Sequence, residues 1–404
     1  MKSLIFLKEV LAFTLFFTSS FCYANSDFSL ENGLRLKSAD GKHNFHLGGY
    51  LLFDARFVDD TKNSNERFDL FNAWIHMVGS SYDTYDYKIQ YSLEDSNATK
   101  LRDAYIAFRF TPQFRLRLGQ YDMPTIAEHL SALSYSPLGG RAITDSLTPG
   151  RDVGAMGEGT FSKKQWNYSL GLFNGNGIDA KSEENDNKDV AGRMTGLIYQ
   201  SKNSLSTQIY TDISFTYGKQ KFDSFNFKSE SGEVMLSATD VSVNQRLRIA
   251  GGLYGYFGSD SLKATYLRNR YEFSTTNQTG VTSAWSILYT HSITGEREEY
   301  RSGVFNKINP KRNFLNGTGG AWQLVVRFSE WNANSSIVQA ANSVSVSTVA
   351  ADKAKAISLG VNLILTPNAR INLSWIHTKF DRVALVLPND SQDSLVARFA
   401  LQFF

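Results

Sequence analysis

The chain has 404 residues, 42% of them hydrophobic and 13% aromatic, with 42 Lys+Arg against 39 Asp+Glu and a single cysteine. This aromatic content and balanced charge exclude a disordered chain, the lone cysteine excludes a disulfide scaffold, and a net charge of +3 gives no reason to expect nucleic acid. After residue 24 no apolar run approaches the roughly 20 residues that a membrane helix needs.

The first 24 residues read as an export address. Lys2 and Lys8 precede the apolar stretch Val10–Phe17, and Cys22 and Ala24 complete a small-x-small cleavage pattern. The predicted mature chain therefore starts at Asn25 and contains no cysteine, so its stability must come from burial and backbone hydrogen bonding.

The rest alternates with period two. In 45–57, Phe45, Leu47, Leu51, Phe53, Ala55 and Phe57 share one face, while His46, Tyr50, Asp54 and Arg56 share the other. The same division recurs in 85–94 (Asp86, Lys88 and Glu94 on the polar face), in 103–110 (Asp103 and Arg109) and in 114–118 (Arg115 and Arg117). It returns at the C-terminus, where Arg398 interrupts Leu395, Ala397, Phe399, Leu401 and Phe403. Sixteen strands are predicted near 45–57, 67–79, 84–94, 101–110, 113–122, 153–161, 166–174, 189–200, 205–216, 232–257, 261–273, 281–294, 321–333, 355–366, 370–381 and 393–404. The tenth is long enough to contain a hairpin, which makes eighteen strands the alternative.

Many of these strands match the roughly 9–11 residues of a tilted bilayer-crossing strand rather than the soluble average of about 5–6. Tight turns such as Thr111–Gln113, Gly258–Asp260 and Pro367–Ala369 follow even-numbered strands, and longer polar segments such as 123–150, 175–188, 217–231, 334–354 and 382–392 follow odd ones. The long connection 295–320 breaks this parity. All seven prolines fall outside strand interiors. A sheet in hydrocarbon must close on itself, so the expected fold is an all-β transmembrane antiparallel β-barrel over residues 25–404. Tyr85, Tyr87, Tyr199, Tyr210, Trp322 and Trp375 are expected to form interfacial girdles against lipid and lipopolysaccharide in a Gram-negative outer membrane.

No catalytic or metal motif stands out. His43 and His46 lie on opposite strand faces, the six histidines are scattered, and the sequence has no G-x-S-x-G elbow. No enzyme activity and no cofactor are expected. An outer-membrane enzyme would need a clustered Ser/His/acid set in the loops, and an adhesin would rest on the long loops alone.

Several segments carry a family resemblance. Phe45–Gly49 (FHLGG), Arg102–Ile106 (RDAYI), Leu116–Tyr121 (LRLGQY), Pro149–Met156 (PGRDVGAM), Gly171–Gly175 (GLFNG), Ile293–Glu296 (ITGE), Asn309–Phe314 (NPKRNF), Gly319–Arg327 (GGAWQLVVR) and Leu359–Asn362 (LGVN) occur in order. Together they resemble the phosphate-selective porin O and P family of Gram-negative outer membranes. The resemblance implies a sixteen-stranded barrel, a homotrimer and loops folded inward, and it accommodates the long connection at 295–320. This chain departs from the phosphate-selective members at three positions. Tyr50 stands where they carry an arginine, and Phe71 and Asn72 align with their arginine pair, whereas Arg117 matches their strand-five lysine. The bidentate fork that suits phosphate is thus missing at those positions.

The wet face should therefore present Tyr50, Asp54, Arg56, Asn72, Lys88, Asp103, Arg109, Arg115 and Arg117. The segment 123–150, with Glu128, Arg141 and Asp145, is expected to fold inward as a constriction loop, with Arg151 directly after it. Basic strands facing a mixed loop would give a passive channel for small ions and solutes with mild anion preference. A dedicated phosphate or polyphosphate channel is the alternative.

Overall fold

The computed structural model describes residues 27–29, 34–59, 66–94, 100–163, 165–178, 187–201, 207–314, 317, 319–382 and 390–403. The predicted signal peptide lies outside them. Sixteen strands form the wall: β1 His43–Asp59, β2 Arg67–Ser81, β3 Tyr85–Ser92, β4 Leu101–Thr111, β5 Phe114–Asp122, β6 Arg151–Phe161, β7 Trp166–Phe173, β8 Asp189–Gln200, β9 Thr207–Gly218, β10 Val234–Phe257, β11 Asp260–Phe273, β12 Thr279–Ser292, β13 Ala321–Ala333, β14 Ala351–Thr366, β15 Ala369–Arg382 and β16 Ser391–Phe403. Each pairs antiparallel with the next. The last closes on the first, from Phe403↔Gly49 to Asp393↔Asp59.

Side-chain polarity is inverted relative to a soluble domain. On β1, Leu51, Phe53 and Phe57 are 37%, 46% and 44% exposed, whereas Asp54 and Arg56 are buried. The expected alternation therefore points its apolar face outward, which is stable only where the solvent is hydrocarbon. Connections 82–84, 112–113, 258–259 and 367–368 are tight, and Gly258 takes the positive φ of 67° that one of these turns requires. They share one end of the barrel with the long connection 293–320, which contains a small hairpin, Tyr300–Arg301 paired with Val304–Phe305.

Three details differ from the sequence reading. The tenth strand contains no internal hairpin. Its 24 residues run on past the wall, and its first part pairs with Phe222–Lys228, a segment assigned to a loop. Asp27–Ser29 and Leu34–Lys37 form an additional ribbon against the start of β1, with Leu34 opposite Leu47. Tyr210 is no girdle residue: it packs inside against Tyr256 and Tyr300, at ring distances of 6.0 Å and 4.8 Å.

The main apolar core sits in the loops at the far end, because the wall sends its apolar groups outward. Ile143 and Leu147 from 123–150 meet Phe225 and Phe227, Trp331 on β13, and Ile337 of helix α1, Ser335–Asn342. Asn334 caps α1 by accepting from the Ile337 amide at 3.2 Å. At about 1.5–3 kcal/mol for each large side chain buried, this cluster holds the inserted loops in place.

Candidate pore and its charged lining

The segment 123–150 leaves β5, crosses the barrel interior and returns to β6. The Ala127 amide donates to Asp212 on β9 (2.9 Å), and Arg327 on β13 donates to the Gly140 carbonyl (3.0 Å). The Gly139 amide donates to Ser374 on β15 (3.0 Å), and Leu133 packs against Tyr50 and Leu52 of β1. From the opposite end, the hairpin 300–305 also enters. Tyr300 bonds Thr195 (2.6 Å), Arg193 donates to the Gly303 carbonyl, and the Phe305 amide donates to Ser131 of the crossing segment (2.8 Å). Thus the two inserts meet beside β8–β11.

Open space remains along β1–β8. A cavity of about 590 Å³ is lined by β1–β4, Arg151 and the crossing segment. A second, of about 460 Å³, opens at the tight-turn end beside Arg109, Arg115 and Glu158. The upper cavity presents Arg56, Lys88, Arg102, His129, Arg141, Arg151 and Lys228 against Asp103, Asp122, Asp145 and Glu230. Positive charge is in excess.

Ten of the thirteen expected pore residues gather at or beside this upper cavity. Tyr50 packs on Trp74 at 5.2 Å, and Asn72 donates to Glu94 at 2.9 Å. Asp54 lies just behind the lining and accepts from Arg56 at 2.7 Å and from Arg398 at 2.6 Å, both guanidinium groups lying over Phe71. Asp103 bridges Lys88 (2.6 Å) and Arg151 (2.7 Å), and Arg151 continues to Asp122 at 2.9 Å. On the crossing segment, Arg141 pairs with Asp145 at 3.2 Å, and Glu128 lies 3.7 Å from Arg327.

The other three, Arg109, Arg115 and Arg117, lie lower on the wall. Arg109 pairs with Asp86 at 2.5 Å, and Arg115 and Arg117 share Glu158 at 2.7 Å and 2.6 Å. Arg117 is also held between Tyr105 and Tyr121, so it is a neutralised wall residue rather than a lone positive site.

Sequence reasoning missed Arg102, and a bulge explains why. Gln90 opposes Asp103 while Tyr91 opposes Leu101, so Arg102 is the extra residue and turns inward against strict alternation. It lies over Trp74 at 5.0 Å, and no carboxylate pairs with it among the described residues. A second bulge, between Leu52↔Asn72 and Phe53↔Leu70, turns Phe71 inward beside Asn72. Glu158 and Glu230 were missed because their partners Arg115 and Arg327 lie far away in sequence.

Comparison with known proteins decides the family. The family model described as phosphate-selective porin O and P matches residues 45–403. The chain belongs to this family. It is 19% identical to Porin O of Pseudomonas aeruginosa, over 92% of this chain and 91% of that protein. Among solved structures, the loop L8 deletion mutant of OmpT, an outer membrane protein of Vibrio cholerae, superposes with a TM-score of 0.58 at 10% identity, covering 89% of this chain and 99% of that one. An anion-selective porin from Comamonas acidovorans gives a TM-score of 0.54 at 11% identity, covering 89% and 100%. The protein is an outer-membrane porin, its tight-turn end is the periplasmic one, and the open lumen is its channel.

Within this porin, His129 ties the crossing segment to the wall. Its Nδ1 lies 2.9 Å from Asp145, and its Nε2 lies 3.4 Å from Asp122. Burial opposes its charge, but Asp145 and Asp122 outweigh burial and raise its pKa to about 9. Burial likewise opposes the Asp145 charge, and Arg141 with His129 overcomes it, lowering that carboxyl to about 2. The raised histidine contributes stability that is fully present below its ordinary value of 6.5 and lost as pH rises through about 9. The depressed carboxylate contributes above 3.8 and loses that contribution as pH falls through about 2. Open-channel current should therefore stay quiet near pH 4–6.5 and become noisier as pH rises through about 9. His129→Gln should remove this alkaline transition. An unchanged transition in the variant would assign it to another group.

Proposed function

We propose that this porin is a passive diffusion channel with mild anion preference, narrowest where the crossing segment faces the β1–β6 wall, and that it works as a homotrimer without catalysing a reaction. One observation carries the selectivity: the upper cavity has seven cationic side chains against four carboxylates. Ions passing there meet a positive mean potential at close range.

The same lining disfavours a dedicated phosphate site. Bidentate capture needs an unoccupied guanidinium fork, yet Arg56 and Arg398 are both taken by Asp54, and Arg151 by Asp103 and Asp122. A phosphate would have to displace an internal carboxylate already held in place. Arg102 remains, a single cation on an aromatic face, which attracts anions without demanding phosphate geometry. The OmpT of Vibrio cholerae has a solved trimer form, and the likeness of fold supports the trimeric arrangement.

Planar-bilayer recording tests this reading. In a salt gradient the reversal potential should indicate weak anion preference, with ohmic conductance. Submillimolar phosphate should leave the chloride current largely intact. Strong phosphate block would favour the dedicated channel instead, and absence of conductance would refute the diffusion channel altogether.

A further inference from the structure

At the outer mouth, beside the crossing segment, lies a cavity of about 620 Å³, bordered by the turn 175–177, the segment Phe222–Lys228, β10 and β11. Its size falls within the roughly 300–1,000 Å³ of small-molecule sites. Ser146 and Asn226 line the upper cavity as well, so the two spaces adjoin in the lumen. Their charges differ. Two guanidinium groups, Arg246 and Arg248, here meet three carboxylates, Asp152, Asp223 and Asp240, so the positive excess of the upper cavity does not extend into this vestibule.

Most of the polar groups here are already committed. Arg246 donates to Asp189 (2.6 Å) and to the Gly175 carbonyl (3.0 Å), and it lies 2.9 Å from Asp223. Asp152 accepts from the amides of Gly175 (2.5 Å) and Val153 (2.7 Å). Arg248 is the exception. Its side chain makes no hydrogen bond among the described residues, and its one ion pair is a 3.7 Å approach to Asp223. Asp189 and Asp223 together balance the two guanidinium groups, yet the donors of Arg248 stay unused. The segment Phe222–Lys228 adds the exposed Phe222 ring, the Ser224 hydroxyl and the Asn226 amide to the lining. Neither polar side chain of these makes a hydrogen bond among the described residues.

We infer that this vestibule binds a neutral polyhydroxylated solute, a saccharide, at the entrance to the channel. Arg248 calls for acceptors, while Ser224 and Asn226 both donate and accept, and a ring of hydroxyl groups answers both needs. Phe222 offers a flat apolar face to the C–H side of a pyranose. An inorganic anion gains no net attraction, because the two guanidinium groups are balanced where they stand. The site therefore selects by hydrogen bonding and shape, and it does not depend on the anion preference of the adjoining cavity.

Equilibrium dialysis of the full-length protein against radiolabelled maltotriose, in a detergent without a sugar headgroup, tests it. Binding should be saturable and should persist when phosphate is added. Arg248→Met should weaken it about tenfold, through loss of hydrogen bonds from a charged donor. Phe222→Ala should weaken it about fivefold, through loss of the aromatic face. Arg246 still pairs with Asp223 in the first variant, and Phe222 is 37% exposed, so neither change removes a core contact. If one variant fails to fold, the other decides the question. Absence of saturable binding, or an affinity unchanged in both variants, would overturn the inference. Displacement of the sugar by phosphate would also overturn it, marking the vestibule as an anion site. Dialysis reads no ion flow, so the outcome is independent of the selectivity reading.

Discussion

Replacing Arg102 by glutamate is expected to turn the channel from anion-preferring to cation-preferring. The substitution changes the local charge by two units where no carboxylate lies within ion-pair distance of the side chain among the described residues. With water-like screening and a distance of about 8 Å, each unit charge is worth about 0.5 kcal/mol to a passing ion. Two units act with opposite sign on cations and anions, so the permeability ratio should move by about 2 kcal/mol, or about thirtyfold, at low salt and by less as salt is added. Arg102→Gln should give roughly half the free-energy change. The same change at Arg117 should matter less for selectivity, because that guanidinium is already balanced by Glu158 and shielded by two tyrosines. Reversal potentials in a KCl gradient check both, and a glutamate variant that kept full anion preference would show that the selective ring lies elsewhere.

Asp54→Ala should have the largest effect on stability. Its carboxylate is fully buried and accepts four hydrogen bonds, two from Arg56 and two from Arg398. Removing it leaves two guanidinium groups side by side over Phe71, and breaking a buried charge cluster in this way costs about 3–5 kcal/mol. The variant should melt earlier or lose its compact barrel band at lower temperature in detergent. Where it still forms channels, both forks are unoccupied and Arg56 lines the cavity, so phosphate should now block chloride current. A variant that melts normally and remains insensitive to phosphate would show that Asp54 neither holds the cluster nor masks it. Asp54→Asn is the milder control: the shape stays, and only the negative charge is lost.

The alternation of β1, β3, β4, β5 and β16 was readable because the wall's two solvents differ so strongly. Lipid selects Leu51, Phe53 and Phe57 on one face, and a wet lumen permits Asp54, Arg56 and Arg398 on the other. Tyr210 and Arg102 escaped the same logic. Tyr210 is aromatic and near a strand end, which fits a girdle and a lumen cluster equally well, and only the arrival of Tyr300 from the periplasmic connection separates them. Arg102 is displaced by one residue at a bulge, and no local pattern announces where a ladder slips.

The charged lining divides in the same way. Residue types on the polar faces show which cations lie on the inner side of the wall: Lys88 and Arg151 line the upper cavity, Arg109 and Arg115 the lower one, and Arg117 pairs with Glu158 beside it. Their partners were not predictable, since Glu158 meets Arg115 and Arg117 across a strand pair, and Glu230 reaches Arg327 from a loop 97 positions away.

The sixteen-stranded barrel and the sidedness of its connections were therefore readable from the order of residues, because period-two polarity and turn chemistry are local properties. Near-neutral net charge was equally plain at the outset, and it said nothing about selectivity. The tertiary structure decided instead which of the nearly balanced charges cancel. Arg117 and Arg398 are neutralised where they stand, whereas Arg102 stands in the open path with no carboxylate at ion-pair distance among the described residues. Pairing of this kind depends on distances of a few ångströms between residues far apart in the chain, and only closure of the barrel with its inserted loops sets those distances.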